Sequence, residues 1–153
     1  MSTDNGKNGG DDLTPSQEMY LKTIYLLCQE NKVARVKDIA ARLDVSMSSV
    51  NGGIKSLVAR SLCEHNRYGY VDLSEEGRQL AMGVVNRHKV LTRFLRDVLG
   101  VDENIALDDA CEMEHVISGS TLKRIIAFTH YATDDGPGAE LLDGFLKKMP
   151  VSA

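Results

Sequence analysis

Residues 36 to 73 read VKDIAARLDVSMSSVNGGIKSLVARSLCEHNRYGYVDL, and this stretch decides the fold. Val36, Ile39, Ala40 and Leu43 fall on one face of a short helix. Asp44-Val45 is a tight link. Ser46 then caps a second helix, which carries Val50, Ile54, Leu57 and Val58 at i, i+4, i+7 and i+8. Two short helices joined in this way make a helix-turn-helix, whose second helix enters the major groove of DNA. Residues 62 to 73 alternate around a Tyr-Gly-Tyr turn region, so a two-stranded hairpin is predicted there. Helix-turn-helix followed by hairpin is a winged helix.

Upstream, Thr14-Pro15 with Glu18 in the first turn opens a helix over about residues 15 to 30, with Met19, Leu21, Ile24, Tyr25 and Leu27 as its apolar stripe. Residues 1 to 13 are rich in Gly, Asn and Asp, and a disordered lead-in is expected. Downstream, Ser74-Glu75-Glu76 starts a helix whose stripe runs through Leu80, Val84, His88, Leu91 and Leu95 to a stop at Gly100. A helix this long in a small chain bridges two halves or packs across a two-fold axis. Further helical patterns cover Leu107 to Ile117, Ser120 to about Ala132, and Ala139 to Met149, separated by Ser118-Gly119 and Gly136-Pro137-Gly138. The expected organisation is a lead-in (1–13), a winged helix-turn-helix domain (14–73) and an all-helical domain (74–153). The fold class is mainly α with one small β-wing.

No apolar run in the 153 residues approaches the length of a membrane span. The polar start lacks the apolar core of a secretory signal, so a cytoplasmic protein is expected. Three cysteines, an odd number unevenly spaced at 28, 63 and 111, fit reduced thiols, with Cys28 and Cys63 as small core residues. The net charge of −4 hides an asymmetry: residues 14 to 73 carry eight basic and six acidic side chains, and residues 74 to 153 carry nine and thirteen. A basic front and an acidic back suit a polyanion reader joined to a cation-binding half.

Residues 111 to 116, CEMEHV, supply that cation-binding chemistry. On a helix Cys111, Glu114 and His115 stand at i, i+3 and i+4 and share one face. Thiolate, carboxylate and imidazole together suit a divalent transition ion such as Fe2+, Co2+, Ni2+ or Zn2+ better than Mg2+ or Ca2+. The absence of a CxxC pair argues against a closed structural zinc site. On the recognition helix Ser46, Ser48, Ser49 and Asn51 are candidates for base-edge and phosphate contacts, and Lys55 for the DNA backbone. Arg35, Lys37 and Arg67 are candidate phosphate contacts from the first helix-turn-helix segment and the wing. Gly52-Gly53 lowers helix propensity by about 1 kcal/mol per glycine and removes two side chains from base readout.

The chain resembles the diphtheria toxin repressor family of metal-dependent transcriptional regulators over about Leu13 to Ala132. The resemblance rests on Glu18-Met19-Tyr20-Leu21-Lys22-Thr23-Ile24-Tyr25, the helix-turn-helix and wing, Arg87-His88, and Ala110-Cys111-Glu112-Met113-Glu114-His115-Val116-Ile117-Ser118. It implies a homodimer that binds double-stranded operator DNA when loaded with metal and represses metal-uptake genes. It also implies no enzyme activity, no small-molecule substrate and no membrane partner. Met19, Cys111, Glu114 and His115 match the primary site of the iron branch, and His88 matches a histidine of a second site. Thr92, Leu107 and Lys22 stand where the second site's other ligands would be. The sulfur donors point to Fe2+, with Mn2+ as the alternative, in a short form without the src-homology-like third domain. Two rivals are a winged-helix regulator sensing another ligand or thiol oxidation at Cys111, and a metalloenzyme using Glu112 as base.

Overall fold

The computed structural model describes residues 13–66, 68–133 and 137–149. Residues 1–12 of the expected lead-in and Arg67 of the wing lie outside the described residues. The chain divides into two compact units, Met1–Ala81 and Met82–Ala153.

In the first unit, α1 (Pro15–Asn31) starts at a reciprocal capping box. Thr14 Oγ1 accepts from Gln17 N at 3.2 Å, and Gln17 Oε1 accepts from Thr14 N at 3.0 Å, which satisfies two end donors at once. After α1 come β1 (Ala34–Arg35), α2 (Val36–Leu43) and α3 (Met47–Ala59). Asp44 adopts φ 52°, a left-handed cap that turns the chain sharply between α2 and α3. Ser46 caps α3 by accepting from Ser49 N at 3.1 Å, as its position in the sequence predicts.

The wing is β2 (Cys63–His65) and β3 (Tyr70–Leu73). The sheet has three strands in the order β1-β3-β2, all antiparallel, rather than the two expected. Ala34 pairs with Val71 and Arg35 with Tyr70, so the wing is anchored to the chain just before α2. Two residues are too short to show alternation, which is why β1 is invisible to periodicity. One core unites this unit: Leu21, Ile24 and Leu27 of α1, Ile39 of α2, Val50, Ile54 and Leu57 of α3, and Val71 of β3. Each such side chain is worth about 1.5–3 kcal/mol on full burial. Leu13 packs against its edge.

α4 (Glu75–Arg93) begins at Ser74, whose Oγ accepts from Gly77 N at 3.0 Å. The helical run ends in a π-helical turn, Phe94–Val98, and stops at Gly100 with φ 70°. Leu80, expected on the buried stripe, is 38% exposed, whereas Ala81, Val84, Val85, Leu91, Thr92 and Leu95 are buried. The buried face is thus rotated by one residue from the expected one at the start of the helix.

The second unit continues with α5 (Glu103–Met113), α6 (Gly119–Thr133) and α7 (Gly138–Leu146). Leu91 and Leu95 form its core with Ala106 and Ala110 of α5, flanked by Phe94, Val101, Met113, Ile117, Leu122 and Ile125. Ala106 and Ala110 are the small side chains that α5 sets against Leu91 and Leu95. Among the described residues no helix is long and apolar enough to cross a membrane.

Candidate metal centre and nucleic-acid interface

α5 ends at Met113, short of the Ile117 expected from the pattern. Cys111 is half-buried in the last turn of α5, Glu114 is the C-cap with φ −59° and ψ −25°, and His115 lies in the turn beyond. Val116 N and Ile117 N both donate to Met113 O, tightening the chain as it leaves the helix. The face shared by Cys111, Glu114 and His115 is therefore a helix terminus rather than a mid-helix stripe.

Glu114 is 2% exposed, an unusual fate for a carboxylate. His88 Nδ1, from α4, lies 2.9 Å from Glu114 Oε2, and His115 Nε2 lies 3.5 Å from Glu114 Oε1. A carboxylate at the negative end of a helix is disfavoured, and burial removes the water that would offset it. The two imidazoles are the polar groups that stand against it, and a bound cation at this place would offset its charge. Thr92, one turn after His88, is buried, and its hydroxyl has no hydrogen-bond partner among the described residues.

The second unit therefore brings His88, Glu114 and His115 together, with Cys111 one turn before Glu114. Leu107 is exposed on α5. Met19 belongs to the first unit, where it is 39% exposed on α1 and so is not a core methionine. Among the described residues no three His, Cys, Asp or Glu side chains close into a ready-made cage. In donor chemistry the set fits a divalent transition ion: a buried carboxylate between two imidazoles, beside a thiol.

On α3, Val50, Ile54 and Leu57 face the core while Ser48, Asn51, Gly52 and Lys55 lie on the exposed side. Ser46 and Ser49 are also exposed, but their hydroxyls are 3.0 Å apart and Ser46 holds the N-cap, so their first role is to start the helix cleanly. Lys37 is exposed on α2. Arg35 is exposed and stacks on Tyr70, its Cζ 5.2 Å from the ring centroid and its Nη2 donating to the Tyr70 hydroxyl at 3.3 Å. Tyr70 is a supporting residue that sequence reasoning missed. Only the β1–β3 register, which sets it opposite Arg35, reveals it.

The two glycines of α3 differ. Gly52 has open space where a side chain would stand, whereas a Cβ on Gly53 would fall within 2.7 Å of three ring carbons of Tyr20. Gly53 is thus a packing requirement, not a lost base contact.

Two family models match, with the descriptions "Iron dependent repressor, N-terminal DNA binding domain" over residues 12–74 and "Iron dependent repressor, metal binding and dimerisation domain" over residues 74–142. The chain is 35% identical to the HTH-type transcriptional regulator MntR of Bacillus velezensis, over 88% of this chain and 94% of that protein. Among solved structures it is similar to a manganese-dependent transcriptional repressor in complex with manganese (TM-score 0.69, 32% identity, 75% of this chain). It is also similar to IdeR of T. acidophilum (TM-score 0.68, 25% identity, 82% of this chain). The chain spans 53% and 57% of those two solved chains, respectively. With its winged helix in the first matched segment and its buried histidine-carboxylate pairs in the second, the chain belongs to the diphtheria toxin repressor family of metal-dependent transcriptional repressors.

Proposed function

We propose that the protein is an Fe2+-activated repressor of metal-homeostasis genes that binds operator DNA as a homodimer. Glu114 carries this assignment: a buried carboxylate at a helix C-terminus, beside two imidazoles, in the segment that matches a metal-binding domain. Cys111, Glu114 and His115 are the ligands from the second unit, and His88 is the neighbouring donor that holds Glu114 or joins the set. Met19 is the ligand from α1, on the resemblance to the iron branch. Two sulfur donors favour Fe2+ over Mn2+, which prefers oxygen.

A bound divalent ion supplies positive charge to Glu114 and a bond network that only certain conformations complete. Ligands drawn from α1 and from the second unit make those conformations the favoured ones, and linkage then ties metal binding to DNA binding. A nearly complete switch needs about 10⁴-fold better metal binding to the competent state. On DNA, Ser48, Asn51 and Lys55 face the groove, while Arg35, Lys37 and Arg67 engage phosphates.

A manganese-responsive regulator is the second reading, favoured by the likeness to the manganese-dependent repressor structure. One experiment separates them: DNA-binding anisotropy of the apoprotein, titrated anaerobically with Fe2+ and with Mn2+, in wild type and Cys111→Ala. Activation by Fe2+ at lower concentration, lost in Cys111→Ala, is the expected result. Preference for Mn2+ that survives the substitution establishes the second reading. Metal-independent DNA binding overturns both.

A further inference from the structure

Gly53 and Tyr20 form a ring-in-notch contact between α3, which faces DNA, and α1, which carries Met19. Tyr20 is only 9% exposed, and its ring occupies the place where any other residue at 53 would put a Cβ. A second contact lies one step away: Gln17 Nε2 donates to Ser56 Oγ at 2.7 Å, partly buried. From 17 to 20 on α1 the partner moves from 56 to 53 on α3, so the two helices run past one another in opposite senses along this ridge. Ile24 and Val50, the next step in each direction, are both fully buried in the same core.

A ring seated directly on helix backbone leaves no side-chain layer to absorb displacement, so a shift of α1 moves α3 with it. We infer that Tyr20 is a positioning residue: seated in the Gly53 notch, it transmits the state of α1 to the recognition helix and thereby sets how strongly metal changes DNA affinity. This inference rests on the metal-activated repressor proposed above.

The test begins with Gly53→Ala. The ring must then withdraw by more than about 1 Å to regain ordinary carbon contact, while alanine's better helix propensity offsets part of the cost to folding. A duplex selected from a random library by metal-loaded wild type serves as probe. DNA affinity is measured for apo and metal-loaded protein, and metal affinity separately by chelator competition, for wild type, Gly53→Ala, Tyr20→Phe and Gly53→Ala with Tyr20→Leu. The expected result is a metal-induced gain in DNA affinity at least 10-fold smaller in Gly53→Ala, with metal affinity in the absence of DNA within 3-fold of wild type. Tyr20→Phe keeps the gain, and the double variant recovers part of it, because leucine vacates the notch.

Loss of DNA affinity by the same factor in apo and metal-loaded Gly53→Ala would mean a static role and overturn the inference, as would an unchanged gain. If wild type shows no metal-induced gain, the repressor assignment itself fails and the coupling with it. Should Gly53→Ala not fold, Ser56→Ala removes the second contact on the same ridge. A gain reduced by 3-fold or more then supports the inference, and an unchanged gain overturns it.

Discussion

His88 Nδ1 lies 2.9 Å from Glu114 Oε2, so a histidine of α4 meets the carboxylate that caps α5 at a buried pair. The contact sets an imidazole against a carboxylate that is fully buried at the negative end of a helix. It also makes Glu114 common to both imidazoles, His88 and His115. Glu114→Gln keeps the shape and removes the charge. Metal affinity, measured by calorimetry or chelator competition, is expected to fall by more than the ~10–100-fold typical of losing an outer-shell partner. His88→Ala should fall within that range if His88 only orients Glu114, and beyond it if His88 is itself a ligand. Unchanged affinity in Glu114→Gln would remove Glu114 from the site.

The half-buried Cys111 thiol gives an independent chemical readout. Iodoacetamide labelling followed by peptide mass analysis should show Cys111 reacting in the apoprotein and protected about 10-fold or more by saturating metal, because coordination draws charge from the thiolate and shields it. Cys63, buried in the first core, should react slowly in both states. Equal labelling of Cys111 with and without metal would make the thiol a bystander.

Much of the first unit is legible in the sequence because its signals are local. The caps at Thr14 and Ser46, the stripe of α2 and the apolar positions of α3 each occupy one turn or two. What escapes is non-local. The strand Ala34–Arg35 exists only because Val71 and Tyr70 pair with it, and Gly53 is explained only by a ring from another helix. At the candidate metal centre the sequence names the donor residues as candidates, but it does not show where α5 ends. Val116 and Ile117 continue a helical pattern of apolar residues, while the chain turns at Met113. Leu80 is a similar case, since a stripe read forward from Leu80 gives the right period but the wrong face at its start.

Glycine substitutions should separate open from occupied positions. Gly52→Ala meets nothing, so thermal unfolding should show stabilisation of about 1 kcal/mol, or roughly 2–4 °C in Tm for a chain of this size. At Gly77 a Cβ would run into the backbone carbonyl of Leu62, which also accepts from Ser74 N at 3.0 Å. Gly77→Ala should destabilise by about 1–3 kcal/mol, because backbone cannot swing aside as a side chain can. A stabilised Gly77→Ala would show that this close approach is not kept in solution.

Cys63 makes stability depend on alkaline pH. Burial pushes its thiol from an ordinary 9.0 up to about 11, and its Sγ donates weakly to Ile54 O at 3.8 Å. The unfolded chain therefore ionises first. Below pH 9 both states keep the proton and the contribution is whole; from about 9 to 11 the unfolded state gains by ionising while the folded state does not, so stability falls. Urea midpoints across this window should decline more steeply in wild type than in Cys63→Ala. Parallel declines would assign the effect to other groups.

Arg35 and Tyr70 provide the last test, on DNA. Their cross-strand register fixes the arginine over the ring, at 5.2 Å from its centroid, before any DNA arrives. Holding a long side chain ready reduces the entropy lost on binding, and an exposed cation–ring contact is itself worth about 0.5–1 kcal/mol. Tyr70→Leu should therefore weaken metal-loaded DNA binding by roughly 2–5-fold per half-site, while Tyr70→Phe, which keeps the ring, stays near wild type. Because Tyr70 carries no charge, the dependence of affinity on salt should not change in either variant. Arg35→Ala should lower that slope by about 1 per arginine that engages a phosphate. A salt slope that falls in Tyr70→Leu as it does in Arg35→Ala would mean that Arg35 reaches the phosphate only when the ring holds it. A slope unchanged in Arg35→Ala would take Arg35 off the DNA altogether.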